Sequence, residues 1–190
     1  LIAPEADIRT DLPRYRIFRH GKAAEDRGDI ADLYSDDMVA FLLGCSFSFE
    51  NAMLEAGLPV RNIEENKNVS MFTTVRDCVP AGIFSGKLVV TMRPMTPAQA
   101  VRAVQVTTRF HLTHGAPIHM GDPEVLGIRD LQAPDYGDAV TIREDEIPVF
   151  WACGVTALNA VTAPALPLVI THAPGHMFVS DLRDAHLAVL

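Results

Sequence analysis

Ile147-Pro148-Val149-Phe150-Trp151-Ala152-Cys153-Gly154 is an apolar run that breaks into polar chemistry. After a helix-like segment the pattern returns in Leu168-Val169-Ile170-Thr171-His172-Ala173-Pro174-Gly175-His176. Short continuous apolar runs bounded by Gly and Pro predict strands covered on both faces, the habit of parallel sheets with helices packed on them. In open sheets of that kind ligands bind in the crevice outside the carboxyl ends of the strands, so Cys153, His172 and His176 are expected there.

Working outward, further strands are predicted at residues 88–92 and 118–120, separated by helical segments. The fold class is therefore α/β, with a mixed or mostly parallel sheet flanked by helices. The best-specified helix begins at Thr96, its cap. Pro97 takes the first helical position, Gln99 completes a capping box, and Val101, Val104, Thr107 and Thr108 share one face. Upstream, Ser35-Asp36-Asp37 predicts a short apolar helix over residues 38–43 ending at Gly44. Ser46 or Ser48 caps a second, with Phe49, Met53 and Ala56 at helical spacing and Gly57 and Pro59 as its stop. Residues 1–32 read as an extended arm with one edge strand at Tyr15-Arg16-Ile17-Phe18-Arg19, and 139–142 as a strand. Composition shifts near Val60 and Ala139 divide the chain into a main lobe, 1–59 with 140–190, and a smaller lobe, 60–139.

The 190 residues suffice for one core, or one core with a smaller lobe, and 48% hydrophobic content argues against disorder. A net charge of -8 with scattered Lys and Arg argues against a nucleic-acid partner. No apolar run approaches the roughly 20 residues of a membrane span. The expected partner is a small molecule. Cys45, Cys78 and Cys153 are far apart without CxxC spacing, which supports neither a disulfide framework nor a zinc site and points to a reducing, cytoplasmic compartment. No secretory signal follows Leu1; the chain does not open on Met, so upstream sequence is expected.

Several residue types suit a site for a small carboxylate. Arg93 can offer a planar fork to a carboxylate or pair with an acidic neighbour, and both readings stand. The Gly44-Cys45-Ser46 turn can cradle an anion with hydroxyl and backbone N–H groups, or serve as a simple cap. Five of the seven histidines fall in two Gly/Pro-rich segments: His111, His114 and His119, then His172 and His176. Histidine titrates near neutrality and suits proton transfer. Pro117 and Pro174 lie inside the His114–His119 and His172–His176 spacings and exclude a helical metal motif, so neither metal nor cofactor is expected. Cys153 reads as a thiolate nucleophile or a small buried hydrophobe, and Asp122 as a helix cap or a polar site residue.

The motifs Asp7-Ile8-Arg9-Thr10-Asp11-Leu12-Pro13, Ala40-Phe41-Leu42-Leu43-Gly44-Cys45-Ser46-Phe47-Ser48-Phe49-Glu50, Met92-Arg93-Pro94-Met95-Thr96, His114-Gly115-Ala116-Pro117, Gly121-Asp122-Pro123, Phe150-Trp151-Ala152-Cys153-Gly154-Val155-Thr156 and Thr171-His172-Ala173-Pro174-Gly175-His176-Met177-Phe178 resemble the hydro-lyase family related to D-glutamate cyclase. The resemblance runs essentially from Asp7 onward. It implies a bacterial-type soluble lyase with a smaller α+β lobe and a further N-terminal segment. For the D-glutamate cyclase relatives it implies loss of water as D-glutamate closes to 5-oxo-D-proline.

On this reading Arg93 grips a substrate carboxylate while Ser46 and nearby backbone N–H groups hold the other end. His172 or His176 moves the proton. Cys153 joins the catalytic set, and Cys45, His114, His119 and Asp122 join the substrate-binding set. The expected assembly is a homo-oligomer. Two alternatives stand beside it: a metal-dependent hydrolase or hydratase using His114, His119 and His172, and a non-catalytic carboxylate-binding module.

Overall fold

The computed structural model describes residues 3–189. In chain order its elements are β1 (Tyr15–Arg19), β2 (Lys22–Arg27), α1 (Glu50–Glu55), α2 (Arg61–Glu64), β3 (Ser70–Asp77), β4 (Lys87–Met95), α3 (Pro97–Thr107), β5 (His119–Met120), β6 (Ile147–Ala152), α4 (Val155–Thr162) and β7 (Val169–His172). Two sheets form, ordered β2-β1-β7 and β3-β4-β6-β5, and every strand pairing in both is antiparallel. The α/β content stands, and the mixed or mostly parallel sheet does not. β6 reads as a continuous apolar run because helices cover one of its faces and loops the other, which gives parallel-like burial to an antiparallel strand. β6 and β7 also belong to different sheets, so no shared crevice at their carboxyl ends follows from topology.

The described chain divides into two compact units. The first comprises residues up to Leu42, Val79–Gly86 and Ala157–Leu182. Its sheet is centred on β1, which the sequence predicts as an edge strand; β2 and β7 flank it. His20 and Gly21, both at positive φ, make the two-residue turn from β1 to β2 that matches the strand twist. Tyr15, Ile17 and Ile30 are its buried core. The Tyr15 hydroxyl donates to the Ile8 carbonyl at 2.9 Å and accepts from Leu12 N–H at 3.1 Å, fastening the arm to the sheet.

The helix expected over residues 38–43 does not form. That segment has no regular secondary structure, with Val39, Phe41 and Leu42 exposed. The Ser35 hydroxyl donates to the Asp37 carboxylate rather than capping backbone N–H groups, and six residues return too few i→i−4 bonds to offset nucleation.

The second unit comprises Leu43–Cys78, Lys87–Thr156 and the chain from Arg183. Its sheet separates two apolar clusters. On one face Phe49, Met53, Met95, Val149 and Trp151 pack with Ala100 and Ala103 of α3; on the other Phe72, Val90, Met92 and Phe150 pack with Leu126, Ile128 and Val140. α3 has the expected capping box at Thr96 and Gln99. Its buried stripe, however, is Ala100, Ala103 and Thr107, while Val101 is exposed. Small residues let the helix approach the sheet, where Trp151 Nε1 donates to Thr107 Oγ1 at 3.2 Å. Residues 139–142 form no strand. Lys67 Nζ binds the Ala139 carbonyl and Glu65 accepts from Thr141 N–H, holding the segment as a loop with Val140 buried. Among the described residues, no helix is long and apolar enough to cross a membrane.

Candidate functional site

β4 runs through Arg93 to Met95, so Arg93 lies within the strand rather than beyond its end. In register Thr91 faces Trp151 and Arg93 faces Val149, which places these side chains on the α3 side of the sheet. Arg93 is fully buried. Its Nη1 donates to Thr91 Oγ1 at 3.2 Å, its Nη2 to Ser46 Oγ at 3.3 Å, and its Nε to Glu50 Oε1 at 3.2 Å. Nη2 also donates to Glu50 Oε1 in a short ion pair. The guanidinium carbon sits 5.3 Å from the Phe49 ring centre and 5.5 Å from that of Trp151, close enough for cation–π attraction. Of the two sequence readings for Arg93, the structure displays the pairing with an acidic neighbour.

Ser46, Phe49, Glu50 and Met53 are all buried, and their i, i+3, i+4, i+7 spacing puts them on one helical face. Ser46 opens a 3-10 turn, Ser46–Phe49, that runs directly into α1. Gly44 locates this turn. A Cβ there would come within 2.6 Å of Thr113 Cα and 2.7 Å of the Leu112 carbonyl, a backbone approach that only glycine permits. Cys45 and Ser46 are thereby held beside the segment that carries His114.

Burial pushes the Cys45 thiol above its ordinary pKa, against smaller downward pulls from the Phe47 amide and the Arg93 charge. Cys153 is pushed up for the same reason, and it feels charge on Cys45. Its N–H donates to the Val89 carbonyl at 3.0 Å, and its Sγ meets Met71 Sδ at 3.5 Å. Met71 lies opposite Thr91, so the Cys153 thiol is on the Arg93 face. His114 is held below its ordinary pKa, first by burial and then by the Arg93 charge. Arg93, Glu50, Ser46, Thr91, Cys45, Cys153 and His114 thus form one cluster within the second unit. At neutral pH its two thiols are protonated and its imidazole is neutral, a set of proton donors beside a proton acceptor.

The remaining sequence candidates lie elsewhere. His119 stands opposite Phe150, 5.9 Å between ring centres, on the face of the sheet away from Arg93. Its Nε2 donates to the Asp122 carbonyl at 2.6 Å, while Asp122 Oδ1 caps the 3-10 turn Pro123–Leu126 by accepting from Glu124 N–H. His172 and His176 belong to the first unit. Each donates Nδ1–H to a nearby carbonyl, Ala173 and Pro174 respectively, at 2.8 Å, which fixes the tautomer. Among the described residues, no group of three or more His, Cys, Asp or Glu side chains is placed to hold a metal ion.

Sequence reasoning about individual residues misses Glu50 and Thr91. The signal for Glu50 was present: a carboxylate on the apolar stripe of a short helix must find a buried partner.

A description of the D-glutamate cyclase family matches residues 39–181 of this chain. Curated relatives extend the match. The putative hydro-lyase of Geobacillus kaustophilus is 59% identical over 191 residues, covering 100% of this chain and 72% of the relative. The putative hydro-lyase YcsI of Bacillus subtilis is also 59% identical, over 100% of this chain and 74% of its own length. That of Bordetella pertussis is 60% identical over 184 residues, 97% of this chain and 66% of the relative. With the family description covering most of the chain and relatives near 60% identity, the chain belongs to the D-glutamate cyclase family.

Proposed function

We propose that the protein is a hydro-lyase acting on a small amino or hydroxy carboxylic acid, with conversion of D-glutamate to 5-oxo-D-proline and water as the reaction to examine first. The observation that carries this reading is the buried Arg93–Glu50–Ser46 arrangement beside two protonated thiols and a neutral imidazole. Closing the ring requires an unprotonated amine, a proton for the departing oxygen, and donors for the oxyanion that develops on the side-chain carboxyl. His114 suits the first requirement, the Cys45 or Cys153 thiol the second, and the Ser46 hydroxyl, anchored by Arg93, the third. His172 and His176, in the other unit, each engage a backbone carbonyl through Nδ1, and on this reading neither takes a step at the Arg93 cluster.

The test is proton NMR of the purified full-length protein with D-glutamate, L-glutamate or 5-oxo-D-proline, each with and without EDTA. Conversion confined to the D pair and unaffected by EDTA is the expected result. Conversion abolished by EDTA would replace this reading with a metal-assisted one. Thermal stabilisation by D-glutamate with the ligand recovered unchanged would make the protein a carboxylate-binding module.

A further inference from the structure

We infer that Glu50, in place of His114 and the thiols, carries the protons between the reacting atoms at this site, acting through Oε2. This rests on the hydro-lyase reading above and adds to it the group that touches the reacting atoms. The two oxygens of the Glu50 carboxylate are unequal. Oε1 receives both Arg93 Nε and Nη2. Oε2 has no hydrogen-bond partner among the described residues, although the side chain is only 9% exposed. It is not a sealed atom either. The single fully enclosed side-chain oxygen or nitrogen without a partner among those residues is Asn62 Oδ1, so Glu50 Oε2 keeps some accessible surface.

A carboxylate this buried ordinarily has both oxygens satisfied. Here one oxygen is clamped and the other presented, the arrangement expected of a positioned acid/base. The surroundings agree: Ser46 lies one helical turn earlier on the same face, and the charge of Glu50 is felt by the Cys45 thiol.

The proton balance of ring closure needs only one such group. The substrate enters with an ammonium and a side-chain carboxylate. As the nitrogen–carbon bond forms, the nitrogen gives up two protons; as the carbon–oxygen bond breaks, the departing oxygen gains two and leaves as water. Oε2 takes each proton from nitrogen and passes it to oxygen, and Glu50 ends as it began. No oxidant, reductant or further reagent enters.

The experiment is steady-state turnover of D-glutamate by the full-length wild type and by E50Q, with thermal melts of both. Gln keeps an oxygen for Arg93 but places an amide at Oε2 that cannot accept a proton. The expected result is a kcat lower by roughly 10²–10⁴-fold in a folded variant. KM should stay within about threefold of wild type, because binding is untouched. A kcat matching wild type, or a raised KM with kcat intact, would overturn the assignment. If E50Q fails to fold, E50D is read instead. It keeps the charge opposite Arg93 but withdraws the carboxyl by one methylene, so kcat should fall by at least about tenfold, and a wild-type kcat would overturn the inference. Wild type inert toward every acid offered would overturn the hydro-lyase reading and the assignment with it, whereas wild-type turnover equalled by E50Q would overturn the assignment alone.

Discussion

The second unit buries two arginine–glutamate pairs that look alike and differ in completeness. Arg61 reaches Glu146 at 2.6 Å, with both side chains 3% exposed, and also binds Glu64 at 2.9 Å and the Thr141 carbonyl at 3.0 Å. The second Glu146 oxygen accepts from Arg143 N–H at 2.8 Å, so both oxygens of this carboxylate are engaged by the fold. Arg61 is a clamp between α2 and the loop before β6. Arg93 also holds a largely buried Glu50 but leaves Oε2 without a partner among the described residues and gathers two thiols, a serine and an imidazole around the pair. Burial of an ion pair is therefore a poor marker of chemistry, since structural clamps share it. What separates the two is whether both carboxylate oxygens are engaged.

Arg93→Met and Arg61→Met press hardest on this contrast. Either change leaves a carboxylate without its buried partner and should cost about 3–5 kcal/mol in urea unfolding, so on stability the two pairs behave alike. They should part on turnover. Per folded molecule, R61M should retain wild-type kcat, while R93M, having lost the anchor of both Glu50 and Ser46, should lose roughly 10² or more. Equal loss of kcat in both variants would mean that the distinction between clamp and site is false.

How much of this was legible beforehand follows the range of the interactions involved. The capping box at Thr96 and Gln99 and the Asp122 cap are local, involving residues two or three apart, and both were readable. The Arg93–Glu50 pair spans 43 residues, and only the placement of Glu50 among Ser46, Phe49 and Met53 hinted at it. Strand direction is not legible in the sequence because Val149, Phe150 and Trp151 are buried on both faces by different means, and burial alone does not report the direction of a neighbour. His119 drew notice for its proximity to His114 in sequence. Strand alternation then put its ring against Phe150, on the face away from Arg93. The 38–43 segment has helical composition but lacks the length and packing partner that would repay nucleation.

A smaller effect concerns acid. Because His114 is held below its ordinary pKa of 6.5, the unfolded chain binds its proton more readily than the folded one. Its contribution is fully present above about pH 6.5 and fades as pH falls through the folded-state value. His114→Gln should therefore flatten the acid limb of a plot of melting temperature against pH. A limb unaltered in H114Q would remove His114 from the cluster's electrostatics.

The mildest test lies at the alkaline end, where the thiols carry the same logic with the opposite sign. Cys45 and Cys153 are raised above their ordinary value of 9.0, so the unfolded chain loses those protons first. Their contribution is intact below about pH 9 and is lost as pH climbs through the folded-state values. Cys153→Ser should lessen the loss of melting temperature above pH 9. Alkylation of native Cys45 and Cys153 by iodoacetamide, followed by peptide mass spectrometry, should keep accelerating past pH 9, because the reactive species is the thiolate. Alkylation that levels off below pH 9 would mean that burial does not raise these thiols above their ordinary value.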